Sequence, residues 1–110
     1  MDSFDIILSP KALSQLSSYI DYIHYTLLNP IAAVNVWKDA LETQKQLEII
    51  AGSLGLCSHP VLRQLGYRAI PFKKHRYVML YRVDGHTAYV DAIYHQMQDY
   101  ENTFADGLTD

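Results

Sequence analysis

The sequence predicts an α+β domain in the order β-α-α-β-β-β, a helix hairpin packed on a twisted antiparallel sheet. Three features carry that prediction. Apolar residues recur at three- and four-residue spacing between 11 and 50, this pattern breaks once at Asn29-Pro30, and beyond residue 66 it gives way to strand-like runs around Asp84-Gly85. The chain has 110 residues, 49% of them hydrophobic and 19% charged, which suits one compact domain (1–110) and argues against disorder or a fibrous repeat.

The elements follow in order. Residues 4–8, Phe-Asp-Ile-Ile-Leu, read as a short strand, and Ser9-Pro10 then supplies a capping hydroxyl and a proline suited to the first helical position. Leu13, Leu16, Ile20, Ile23 and Leu27 form the apolar stripe of a first helix. Asn29-Pro30 ends it and starts a second, whose stripe runs through Ala33, Trp37, Leu41, Leu47 and Ile50 to Gly52. Residues 52–66, with Gly52, Gly55, Pro60 and Gly66, read as a surface loop. Strands are expected over 67–70, 76–83 and 86–95, with Asp84-Gly85 as a two-residue hairpin loop. Residues 96–110 read as an acidic C-terminal tail, a short helical turn at most.

That hairpin register sets Val83 opposite His86 and Lys74 opposite His95. One face then holds Tyr77, Met79, Tyr81, Val83, Ala88, Val90, Ala92 and Tyr94 and should meet the helices. The other holds Lys74, Arg76, Val78, Leu80, Arg82, Thr87, Tyr89, Asp91, Ile93 and His95, a mixed face expected to stay open.

Net charge is −3, but it is sorted along the chain. Residues 51–86 carry Arg63, Arg68, Lys73, Lys74, Arg76 and Arg82 against Asp84 alone, while 87–110 carry five acids and no Lys or Arg. A basic middle and an acidic end can seat an anion on one surface, although a solvated charged face has the same composition. On the mixed face His95 would lie beside Lys74 and Arg76, a proton-moving imidazole next to two phosphate-binding cations. Those are the groups that metal-free RNA cleavage needs, with the 2′-hydroxyl as nucleophile. Arg82 could add a phosphate contact, and Tyr89 could stack a base. Strand ends and edges also carry such residues as protection against aggregation.

Other chemistry is poorly supported. The five histidines show no zinc spacing with Cys57, no phosphate loop or nucleophile elbow occurs, and neither metal nor cofactor is expected. A single cysteine and the absence of a basic-then-apolar leader suggest the cytoplasm. The longest apolar run, from Tyr77 to Tyr81, is far below the ~20 residues of a membrane span.

Taken together, Leu8-Ser9-Pro10-Lys11-Ala12, the break Leu28-Asn29-Pro30-Ile31-Ala32-Ala33, Gly66-Tyr67-Arg68, the run from Tyr77 to Asp84 and the segment from Ile93 to Tyr100 resemble the RelE/ParE superfamily of type II toxin-antitoxin toxins. The resemblance spans residues 4–104. It implies a cognate antitoxin, with which the toxin forms a hetero-oligomer. It also implies one of two targets: RelE-like members cut mRNA on the ribosome through the 2′-hydroxyl, whereas ParE-like members inhibit DNA gyrase with no known hydrolytic site. On the cleaving reading, His95 is the general acid or base, Arg76 and Lys74 hold the transition-state phosphate, and Arg68 is a second phosphate contact. Three features depart from that branch. Val78 stands where its prototype has an arginine, Gln98-Asp99 replaces Arg-Asp, and the chain is acidic although ribosomal RNA is a polyanion. The sequence is read first as a ribosome-dependent mRNA endoribonuclease, and alternatively as a ParE-like gyrase inhibitor or an inactive antitoxin-binding member.

Overall fold

A computed structural model describes residues 3–108. The N-terminal strand β1 (Asp5–Leu8) leads into helix α1 (Pro10–Asp21), and α2 (Pro30–Ile50) returns antiparallel to it. A short helix α3 (Pro60–Gln64) precedes strands β2 (Tyr67–Pro71), β3 (Tyr77–Asp84) and β4 (Thr87–His95), and α4 (Tyr100–Leu108) follows. The four strands form one sheet in the order β1-β4-β3-β2. Because β1 runs parallel to β4, the sheet is mixed and not wholly antiparallel.

Both long helices start at the caps expected of them. Ser9 Oγ accepts from the Ala12 amide and Asn29 Oδ1 from the Ala32 amide, each before a proline. The turn between the helices is tighter than a plain break. A π-helical turn, Tyr22–Thr26, continues α1, and Leu28 closes it in the left-handed region at φ 54°. A branched side chain is strained there, and Leu28 is 79% exposed.

The β3–β4 register differs from the expected one in two ways. Asp84 pairs with Thr87, so Gly85 and His86 form the loop, and Gly85 takes its first position at φ 61°. Farther along, Tyr81 pairs with Val90 but Leu80 pairs with Ala92, so Asp91 is an extra residue in β4. From that bulge onward the side chains of β4 change faces. Ile93 joins Met79 and Tyr81 under the helix hairpin, whereas Ala92 and Tyr94 join Val78 and Leu80 on the opposite face.

The second face is therefore not open. Cys57, Leu62, Phe104 and Ala105, from α3, α4 and the loop before α3, cover it in a second apolar cluster that includes Tyr67 of β2. The segment read as a loop contains α3, and the segment read as an acidic tail contains α4, whose Phe104 stands edge-on to Tyr67 at 5.0 Å. Glu101 on α4 accepts the His59 amide at the start of α3 and locks the two together.

Beyond the end of β1, side chains take over the outer edge of β4. Ser9 Oγ donates to the Asp91 carbonyl, Gln15 Oε1 accepts the Ile93 amide at 2.8 Å, and Tyr19 Oη donates to the Ile93 carbonyl at 2.9 Å. Helix α1 thus satisfies backbone groups that would otherwise be buried unpaired.

On α1 the expected Leu16 is buried and Ile20 and Ile23 pack on the core, while Leu13 and Leu27 are exposed; on α2 the stripe is rotated in part. On α2 the buried positions are Ala33, Val36, Asp39, Ala40, Thr43 and Leu47, while Trp37 and Leu41 lie outside. The small Ala33 and Ala40 let α2 lie close to its neighbours, whereas a strict four-residue spacing from Ala33 selects Trp37 and Leu41. Because α4 is part of a core, Phe104→Ala should lower the free energy of unfolding by about 3 kcal/mol in a urea titration. A loss below about 0.5 kcal/mol would instead mean a dispensable tail.

Candidate functional site

The turn between β2 and β3, the start of β3 and the end of β4 meet the helix hairpin at an open concavity of about 410 Å³. Lys74, His75, Arg76, Tyr77 and His95 line its sheet side, and Ile23, Leu27, Asn29, Ala32 and Val36 line its helix side. Local pairing fixes the sheet side. The Phe72 amide donates to the Tyr77 carbonyl at 2.8 Å, closing the turn, and the Gln96 amide donates to the Arg76 carbonyl at 2.7 Å, extending the ladder past His95.

Asp39 anchors this turn to α2. Its Oδ2 accepts the Lys74 amide at 2.9 Å and faces His75 Nδ1 at 2.7 Å, while its Oδ1 is buried with no hydrogen-bond partner. Burial pushes the Asp39 carboxyl up, but the His75 ring bond, the Lys74 amide and the His75 charge outweigh it, and the result lies below the ordinary value. Since a carboxylate only accepts, Nδ1 of His75 carries the proton. The other imidazole is held in the opposite sense. His95 Nδ1 accepts the Met97 amide at 3.1 Å, which leaves its proton on Nε2, and its ring stands edge-on to Tyr77 at 5.4 Å.

The residues expected to act together are divided among three places. Lys74, Arg76 and His95 do share the concavity, but on the hairpin side of the sheet, and His95 pairs with Tyr77 instead of Lys74. Arg68 pairs with Tyr81 near the other end of β3, and its guanidinium donates to the Leu54 carbonyl. Arg82 and Tyr89 occupy the opposite face. There Arg82 Nε donates to Asp91 at 3.1 Å and the guanidinium sits 4.6 Å above the Tyr89 ring, while the Tyr67 hydroxyl donates to the same carboxylate at 2.7 Å. Burial, and then that bond to Asp91, push the Tyr67 hydroxyl up to about 12. Val78 is buried.

Sequence reasoning missed His75 and Asp39. His75 falls between the expected strands 67–70 and 76–83 and Asp39 is one more polar position on a helix, and their contact bridges 36 positions. Cys57 is buried, and burial, with the nearby Glu101 charge, pushes its thiol up to about 11, which disfavours the reactive thiolate. Among the described residues no cluster of His, Cys, Asp and Glu could hold a metal ion.

The hairpin presents a second feature, on its outer side. Tyr22, Tyr25, Leu27, Leu28, Ile31, Val34 and Trp37 are all exposed around its closed end, and Trp37 is 46% exposed. A groove of about 310 Å³ between Leu16 and Ile20 of α1 and Ala33, Val34 and Trp37 of α2 continues that apolar surface.

With this hairpin, sheet and concavity, the sequence matches over residues 6–100 the family model described as the ParE toxin of the type II toxin-antitoxin system parDE. The chain belongs to the ParE toxin family. Like others of the wider RelE/ParE superfamily, this ParE-family chain is the toxin half of a toxin-antitoxin pair, and its family implies a cognate antitoxin. The fold agrees: a solved structure described as the chromosomal ParDE toxin-antitoxin system from P. aeruginosa superposes with a TM-score of 0.70 at 21% identity, covering 84% of this chain and 96% of that one. No curated protein sequence matches the chain. Among the described residues no helix is long and apolar enough to cross a membrane.

The Asp39 carboxylate is stabilised in the folded chain, so its contribution is complete above the ordinary carboxyl value of 3.8 and disappears as pH falls through the lowered native value. Urea midpoints measured between pH 2 and 7 should therefore fall at the acid end. Asp39→Asn should be less stable at pH 7 by roughly 1–3 kcal/mol and should lose that part of the acid dependence.

Proposed function

We propose that this chain inhibits DNA gyrase by binding, without a chemical step, and that its antitoxin covers the helix hairpin. The family match over residues 6–100 carries the gyrase reading, because inhibition of gyrase is what membership of the ParE branch implies. Geometry supports it from the other side. The cations assigned to an RNA path do not all converge: Arg68 is engaged by Leu54 and Arg82 by Asp91 on the far face, and Val78, where the cleaving prototype has an arginine, is core. A chain of net charge −3 is also poorly suited to a surface of ribosomal RNA. The arrangement of His95 with Arg76 and Lys74 is the one observation that favours ribosome-dependent mRNA cleavage, so it is tested alongside.

An antitoxin could be received by the hairpin or by a free sheet face. Only the hairpin now fits, since α3 and α4 occupy the sheet face. An amphipathic segment laid along Ile31, Val34 and Trp37 would bury apolar surface that the toxin leaves in water.

Purified toxin should block ATP-driven supercoiling of relaxed plasmid by bacterial gyrase, and His95→Ala should retain that activity. Primer extension on mRNA from a translating extract should show no new ends; codon-registered ends that vanish in His95→Ala would replace the gyrase reading with the nuclease. Inactivity in both assays would leave a chain that only binds its antitoxin.

Val34→Asp on the hairpin should weaken capture of the antitoxin encoded beside the toxin by tenfold or more, measured by calorimetry, and relief of toxicity on co-expression should weaken with it. Unchanged affinity would place the interface elsewhere.

A further inference from the structure

Fixed charge is missing from most of the outer side of the helix hairpin. The chain runs from Tyr22 to Trp37 without a Lys, Arg, Asp or Glu, and Lys38 stands at the rim beside Ile31 and Val34. Ser17, Ile20 and His24 of α1 line this side, with Leu13 one turn before them, and Val34 and Trp37 of α2 lie opposite, with Leu41 one turn after. Between the helices runs the groove of about 310 Å³, and past its end stands the tip, where Leu28 and Ile31 are 79% and 74% exposed. Leu28 is also strained. A φ of 54° is unfavourable for a bulky residue, and a side chain so exposed meets little of the fold that could offset it. Asparagine or glycine would make the same turn with less strain, so the single chain gives no reason for a leucine there. Tyr25, Leu28, Ile31, Val34 and Trp37, with Leu13 and Leu41, leave roughly 800 Å² in water, as much as one side of a standard protein interface buries. The largest apolar patch of a monomer is ordinarily smaller.

We propose that, when no antitoxin is bound, two copies of this chain pair through the outer side of the hairpin about a two-fold axis, each Leu28–Ile31 tip seated in the groove of the other. A two-fold contact needs one surface to supply both knob and hole. Here the projecting tip and the groove between Ile20 and Trp37 are neighbours on the same apolar surface. A side with so little fixed charge meets its own copy without like-charge repulsion, and it offers little to steer a strongly charged partner. Matched against itself, the surface supplies roughly 1,600 Å² in total, the size of a stable interface. Pairing also covers Leu28, which gives the strained leucine a contact that the single chain lacks. The dimer goes beyond the gyrase reading and does not depend on it. Because it uses the surface assigned to the antitoxin, second copy and antitoxin exclude one another.

The test is sedimentation velocity of the full-length toxin, freed of its antitoxin, across the micromolar range. A concentration-dependent exchange between monomer and dimer is expected. Ile31→Asp should weaken the dimer about tenfold or more, as burial of an unpaired charge does, and the fold should tolerate it, because a carboxylate suits the first turn of α2. Leu28→Asn separates pairing from folding. It should raise the urea midpoint of the dilute monomer, since asparagine accepts a positive φ, and yet weaken the dimer. Met97→Asp, on an equally exposed side chain beyond β4, should leave the dimer unchanged. Adding the antitoxin encoded beside the toxin should dissociate the dimer. If antitoxin capture is instead unaffected by Ile31→Asp while the dimer is lost, the antitoxin reading fails and the dimer stands. The proposal is overturned if the toxin stays monomeric throughout, if the folded Ile31→Asp and Leu28→Asn variants dimerise like the unaltered chain, or if Met97→Asp disrupts the dimer as strongly as they do.

Discussion

The extra residue in β4 at Asp91 governs both faces of the sheet, because side chains alternate along a strand and one inserted position exchanges the two sides from there on. The bulge is held from three directions. Tyr67 and Arg82 bind the Asp91 carboxylate on one face, and Ser9 binds its carbonyl from the start of α1. With that exchange, Ile93 fills the core under the hairpin while Ala92 and Tyr94 build the second cluster with Leu62 and Phe104. The same exchange turns His95 toward Tyr77 and the helices. A regular strand would have sent it to the face now covered by α4.

This explains which parts of the fold could be read from the residues. Element order and helix starts were legible because they are local: Ser9-Pro10 and Asn29-Pro30 act on amides three residues away. The parallel placement of β1, the bulge and the docking of α4 depend on contacts between distant segments, for which a polar Asp91 or an acidic 96–110 gives no periodic signal. The site shows the same division. Lys74 and Arg76 were found with His95 because the strand pairing brought them near even under a shifted register, whereas His75 and Asp39 become partners only when α2 lies across the turn. Trp37 and Leu41 were misplaced because they continue a four-residue spacing from Ala33, although the helix buries Val36 and Ala40.

The Asp39 contact also has a cost within the fold. A buried carboxylate with one oxygen paired twice and the other unpaired is less favourable than an apolar residue of similar size would be, by the usual balance of desolvation against pairing. Its local effect is to fix the turn from Phe72 to Arg76 against α2, and with it the direction of the His75 ring. The exposed strain at Leu28 has a comparable logic, since it keeps the two helices close while turning an isoleucine- and leucine-rich tip outward.

The pairing of β1 with β4 sets a timetable for synthesis. Ser9 meets Asp91 across 82 positions, so the sheet cannot close until β4 has been made and released. During translation the hairpin is complete long before the strands that bury its inner side, and both of its apolar faces are uncovered in that interval. A partner that recognises the hairpin's outer side can thus engage a chain that is not yet folded and whose concavity, completed by His95, does not yet exist.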